Sequence, residues 1–232
     1  MKKSVTFVGG VHPPDGKELS NKASIQNYLP KGDVVYPLSQ HIGAPTNAVV
    51  KVGDEVLVGT LLAEAGGFVS APIYSGVSGT VKAIKMHRVQ NGSMVNSIVI
   101  ENNHLYESIP LKDAVDPTTL DNNEVLRRIR EAGVVGMGGA GFPTHVKLAP
   151  KNAEAITHVL LNGAECEPYI TCDYRLMLEK AEAIISGTRI TLQLFKNAKA
   201  YICIEDNKPE AIAHLTKLCE KEERIEVIPL VT

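Results

Sequence analysis

Two short stretches hold most of the chemistry in this sequence. In GVVGMGGAGFPTHVK, residues 133–147, glycines at 133, 136, 138, 139 and 141 run directly into Phe142 and Pro143. Glycine costs roughly 0.5–1 kcal/mol relative to alanine in regular structure, so this density predicts a loop whose backbone must be approached closely. A flat ligand resting on a ribbon without side chains would use it. The alternative is a loop that only packs tightly against a sheet. The dinucleotide-binding fingerprint does not fit, because that motif follows a strand and opens a helix, whereas here a helix precedes the glycines.

The second stretch is LLNGAECEPYITCDYR, residues 160–175, where a buried strand ends and a helix is about to begin. Carboxyl ends of strands border the ligand crevice in open α/β sheets. Asn162 can both donate and accept hydrogen bonds at a heterocycle's edge. Glu165 and Glu167 bring two carboxylates together, and in a partly dry cleft their repulsion raises at least one pKa, which suits proton handling or hydroxyl binding. The competing reading is a helix N-terminus whose acids serve the macrodipole. Tyr169 is either a ligand's hydrogen-bond partner or a buried tyrosine with a satisfied hydroxyl.

The elements that position these stretches are legible in periodicity. Residues 33–100 are short apolar runs broken by glycine and proline, which predicts an all-β module. VVKVGDEVLVGTLLAEA (residues 49–65) is answered by VSAPIYSGVSGTVKAI (residues 69–84), and together they resemble the biotinyl/lipoyl carrier fold, a flattened barrel-sandwich. A working carrier needs a lysine at the hairpin tip; the tip here, AGGFVSAP, has none, and Lys85 is read as a solvated strand-end residue. The swinging-arm function is therefore rejected and the fold kept. Asn91-Gly92 predicts a type I′ hairpin turn.

From residue 118 helices and strands alternate, implying a mainly parallel sheet with right-handed crossovers. DNNEVLRRIREAG offers Asp121 as N-cap, Glu124 as its reciprocal partner and Gly133 as the stop. DYRLMLEKAEAIISG predicts a helix with Met177, Ala181 and Ile184 on one face and Gly187 at its end, followed by a short helix over 188–196. KPEAIAHLTKLCEKEE places Ile212, Leu215 and Cys219 inward. The expected class is α/β plus all-β: a barrel-sandwich hybrid over residues 1–115, then a Rossmann-like α/β domain over 116–232. The sequence stops straight after a strand, RIEVIPLV, so a C-terminally truncated fragment is expected.

Composition excludes several classes. With 24 basic and 26 acidic residues in 232, and a pI near 6.4, no broad positive field exists for nucleic acid or anionic lipid. No apolar run approaches the ~20 residues of a membrane span, and the N-terminus is too short in apolar residues for a signal peptide. Membrane association is expected only through partners, with the chain on the cytoplasmic side. Cys166, Cys172, Cys203 and Cys219 match no zinc or cluster spacing, so no metal is assigned; Cys203 and Cys219 read as core residues. His12 and His145 read as turn or surface residues.

GMGGAGFPTHVK followed by NGAECEPY resembles the paired motifs of RnfC, a component of Rnf-type ion-translocating electron transport complexes. GGVHPPDGKELS, PLSQHIGAP and AEAGGFVSAP extend that resemblance over essentially the whole chain. A more distant similarity is to the flavin-bearing, NADH-oxidising subunit of respiratory complex I. The resemblance implies FMN in the second domain, with NADH stacking on its ring. Gly136, Met137, Gly138, Gly139 and Gly141 would line the flavin, Lys147 and Asn162 would bond its polar atoms, and Ala164, Glu165 and Cys166 would complete the pocket. Phe142 would stack on a base or nicotinamide, and Glu167 would be the catalytic residue on the nicotinamide side. Met137, Ala164 and Cys166 stand where the complex I pattern has arginine, aspartate and serine, so charge-assisted contacts are missing there.

The implied function is electron input from NADH through FMN to iron–sulfur clusters in a membrane-bound NADH:ferredoxin oxidoreductase, a translocase, with ferredoxin and the other members of the complex as partners. The 4Fe-4S clusters would lie only in a missing C-terminal part, and the fragment alone would be inactive. The alternative is a scaffold subunit without catalysis, as in the related subunit of the sodium-pumping quinone reductase.

Overall fold

The computed structural model describes residues 13–111 and 113–231. They form two compact units: Tyr28–Lys151, and a second that joins the described residues up to Asn27 with those from Asn152 onward. This division differs from the expected one at 115/116, for local reasons. A Cβ on Gly133 would lie 2.8 Å from the Pro72 carbonyl oxygen, so the start of the glycine stretch is pressed onto the β module. Residues 15–20 likewise hydrogen-bond to residues 165–171.

The first unit contains β1 (Val34–Pro37), β2 (Asn47–Ala48), β3 (Glu55–Val56), β4 (Leu61–Glu64), β5 (Ile73–Tyr74), β6 (Gly79–Arg88) and β7 (Met94–Asn102). One antiparallel sheet runs β1-β7-β6-β3 and a second runs β2-β4-β5. Leu62, Ile98 and Ile100 are fully buried, with Val56, Val77 and Val81 packed in the same core. The turn at residues 51–54 ties the two halves together: Asp54 Oδ2 accepts from the Lys51 amide at 2.9 Å, and Gly53, at φ +93°, donates to the Val81 carbonyl at 2.9 Å. The β6–β7 connection is not the expected type I′ turn. That turn needs positive φ at both central residues, and only Gly92 has it, at +84°; the Gly92 amide closes on the Val89 carbonyl at 2.8 Å within a longer loop.

The same unit carries α1 (Asn122–Glu131) and α2 (Thr144–Lys147) on either side of the glycine stretch. Asp121 caps α1 by accepting from the Glu124 amide at 2.8 Å, and Gly133 follows at φ +67°. Glu124 does not reciprocate. Hydrogen bonds from Arg127 and Arg128 engage its carboxylate and hold its pKa down at about 2.

The second unit contains β8 (His158–Asn162), α3 (Cys172–Glu179), α4 (Ala181–Leu194), β9 (Lys199–Glu205), α5 (Pro209–Cys219) and β10 (Ile225–Leu230). The sheet is parallel, as expected, in the order β8-β9-β10. Ala200, Ile202 and Ile204 of β9 are buried, as are Ala181, Ile185, Thr188 and Leu192 of α4 and Ala211, Leu215 and Cys219 of α5. Two expectations change. The helix over residues 173–187 is broken at Lys180, and Gly187 lies inside α4, where a Cβ would meet nothing within 4 Å. β8 is an edge strand rather than a buried one, with Leu160 70% exposed, because its only sheet neighbour is β9.

Leu62→Ala is expected to lower unfolding stability by about 2–5 kcal/mol through the cavity it leaves. Urea denaturation followed by circular dichroism should show a lower midpoint with an unchanged slope.

Candidate functional site

The glycine stretch closes on itself as a narrow ribbon. Val135 bridges Pro143, the Gly136 amide donates to the Phe142 carbonyl at 3.0 Å, and the Thr144 amide donates to the Val134 carbonyl at 3.0 Å. Its glycines do two jobs. Gly141, at φ +63°, would place a Cβ 3.0 Å from the Gln40 carbonyl oxygen, so the fold itself requires glycine there. A Cβ on Gly138 or Gly139 would meet nothing within 4 Å, so no packing demands glycine at either. Gly136, Met137, Gly139 and Gly141 border a cavity of about 390 Å³ shared with Tyr36, His41 and Tyr74. Met137 is 94% exposed at the ribbon tip, Phe142 is half-buried, and Lys147 is exposed on α2.

The acidic loop belongs to the other unit and begins where β8 ends. Asn162 uses its side-chain oxygen locally, accepting from the Ala164 amide at 3.1 Å. Ala164 is half-buried. Glu165 is 2% exposed, and its carboxylate accepts from the Asp173 amide at 2.7 Å and the Tyr174 amide at 3.3 Å. It caps α3 from outside, since Thr171 at the helix start makes no side-chain cap. The macrodipole reading thus holds for Glu165. Cys166 and Glu167 are exposed, with Cys166 Sγ 3.7 Å from Glu167 Oε2.

The charges beneath the loop are paired. The Glu165 amide donates to Glu205 Oε2 at 3.1 Å, and Lys208 Nζ bonds the same carboxylate. Glu205 and Lys208 are 9% and 5% exposed. Burial pushes the Glu205 pKa up, but the hydrogen bonds from Lys208 and the Glu165 amide outweigh it and leave the group below its ordinary value. The carboxyl group raised by the acidic cluster is Asp173, through burial first and then the charges of Glu165 and Glu167. Glu165, Cys172 and Asp173 present ligand atoms within 4.8 Å of one another, but the Glu165 oxygens are already committed to helix amides.

Sequence reasoning missed the N-terminal contribution. Lys17 Nζ donates to three carbonyls of the acidic loop, and the stretch GGVHPPDGKELS, noted only for its resemblance, was the available signal. Tyr169 is 63% exposed rather than buried. His145 is 7% exposed on α2, not a surface residue, and burial holds its imidazole below the ordinary pKa, with Arg130 acting the same way. His12 lies outside the described residues. Cys203 is half-buried and Cys219 buried. Among the described residues no helix is long and apolar enough to cross a membrane.

The antiparallel module and the parallel sheet define a barrel-sandwich domain joined to a flavin-type α/β domain, and comparison with known proteins agrees. Residues 5–104 match the RnfC barrel sandwich hybrid domain, and residues 129–232 match the Nuo51 FMN-binding domain. The RnfC protein of the Na(+)-translocating ferredoxin:NAD(+) oxidoreductase complex of Acetobacterium woodii is 39% identical over 99% of this chain and 52% of its own length. Its counterpart in the proton-translocating complex of Clostridium ljungdahlii is 43% identical over 98% of this chain and 50% of its own. The corresponding protein of the ion-translocating oxidoreductase complex of Pseudomonas aeruginosa is 42% identical over 96% of this chain and 29% of its own. The chain belongs to the RnfC family and spans about half the length, or less, of these relatives.

Lys208→Met strands the Glu205 carboxylate in a buried position, and a loss of about 3–5 kcal/mol is expected for such a broken pair. In the native protein the lowered Glu205 pKa contributes stability above the ordinary carboxylate range that is lost as pH falls through the lower folded value. In the variant, burial acts unopposed and the folded pKa rises, so protonation recovers stability on acidification. Denaturation curves should therefore differ most at pH ~7 and converge toward pH ~4.

Proposed function

We propose that this chain is part of the electron-input subunit of a membrane-bound NADH:ferredoxin oxidoreductase coupled to ion translocation, and that it holds FMN and receives NADH. One observation carries the reading. In a segment matching an FMN-binding domain, Gly138 and Gly139 have empty space where a side chain would stand, leaving backbone open to a flat ring. Bound FMN would supply hydride acceptance from NADH and onward electron release, while the protein binds, orients and tunes it.

On this reading Gly136, Met137, Gly138, Gly139 and Gly141 offer backbone to the flavin, and Lys147 and Asn162 meet its polar atoms. Ala164 and Cys166 complete the pocket. Glu165 serves it by holding the loop on α3, since both its oxygens accept from helix amides. Phe142 stacks on a base or the nicotinamide. Glu167 is the proposed catalytic residue, its exposed carboxylate placed on the nicotinamide side.

The two modules are proposed to meet near residue 115, between the two family matches. The 4Fe-4S clusters are assigned to the part of the relatives this chain does not span. Other members of the complex and ferredoxin are the proposed partners, and the protein would sit peripherally on the cytoplasmic side of the membrane, held there by those partners.

Titration of FMN into the purified protein, followed by flavin fluorescence, should show saturable quenching. Gly138→Val should weaken binding at least about tenfold, or about 1.4 kcal/mol, with the circular dichroism spectrum unchanged because the added atoms meet open space. Absence of binding both here and in a full-length relative would favour the scaffold role.

A further inference from the structure

We infer that residues 15–20 form a strap that fixes the shape of the acidic loop, and that Lys17 is its positioning residue for Cys166 and Glu167. An ammonium has three N–H donors. All three of Lys17 are spent on one loop: Nζ donates to the carbonyls of Glu165 at 2.6 Å, Glu167 at 3.0 Å and Ile170 at 2.7 Å. Three carbonyls from residues 165–170 converging on one cation require the chain to curl around it.

A second, independent set of contacts clamps the far end of the curl. Tyr169 has φ +67°, a left-handed conformation that a bulky residue keeps only when its surroundings over-determine it. Its amide donates to the Asp15 carbonyl at 2.6 Å, and the Ser20 hydroxyl donates to its carbonyl at 3.2 Å. Gly16, at φ +59°, lies directly against the Tyr169 ring, where a Cβ would come within 2.3 Å of a ring carbon. Glycine is thus required in the strap by the residue it holds.

The pinned carbonyls flank Cys166, and that of Glu167 is itself pinned. The exposed side chains of both residues therefore leave the loop along directions that Lys17 sets. The consequence for flavin binding rests on the function proposed above; the strap itself does not.

The test separates the two. Hydrogen–deuterium exchange of the whole 232-residue protein without flavin is compared for the native chain, Lys17→Met, Lys17→Arg and Gly16→Ala, and each is then titrated with FMN. Lys17→Met should speed amide exchange in residues 165–171 by about tenfold or more while β9 and α5 stay protected. Its FMN affinity should fall about tenfold for the loss of charged hydrogen bonds, and Lys17→Arg should recover part of both. If Lys17→Met does not fold, Gly16→Ala decides: it keeps the lysine, drives a methyl into the Tyr169 ring, and should loosen the same amides. Loop exchange within about twofold of native in the folded variants overturns the strap. A loosened loop with native FMN affinity overturns the positioning role of Lys17. If the native chain binds no FMN, the proposed function fails and the exchange data still decide the strap.

Discussion

A single buried carboxylate organises the acidic loop. Desolvating Glu165 without partners would cost several kcal/mol, so its surroundings are constrained to satisfy it. Its two oxygens take the first free amides of α3, its own amide goes to Glu205, and its carbonyl goes to Lys17. Glu205 is held in turn by Lys208. The start of α3, the end of β9 and the N-terminal segment are thereby locked to one residue. The neighbouring Cys166 and Glu167 are left exposed with their backbone already committed.

The ribbon obeys a different constraint. Its turn needs left-handed glycines at 133 and 141, where β-module backbone comes too close for any side chain. Nothing in the described structure asks for glycine at 138 and 139. Selection for a surface without side chains explains those two positions, and packing explains the others. A substitution series across the ribbon would therefore separate into fold effects and ligand effects by position.

Much of this architecture is legible in the sequence because it depends on local chemistry. The Asp121 cap, the parallel strands, the short strands of the β module and the two motif stretches all follow from spacing and residue type. The errors have local causes too. Gly187 reads as a helix stop, yet a glycine with open space around it is tolerated inside α4, and the real break is at Lys180. Asn91-Gly92 reads as a tight turn, but Asn91 never enters the left-handed region. Glu165 and Glu167 look like a repelling pair; the fold sends one inward to a helix and leaves the other outside, so the raised carboxyl belongs to Asp173.

By itself the sequence determined the two fold classes, the family and the order of a glycine ribbon followed by an acidic strand end, because periodicity, capping and glycine density act over a few residues. Tertiary structure alone decided which glycines the fold needs and that Glu165 is a helix cap. It also decided that Lys17, 148 positions before Glu165, holds the loop carrying Glu167. Contacts between residues so far apart depend on how strands and helices stack, and no local pattern encodes them.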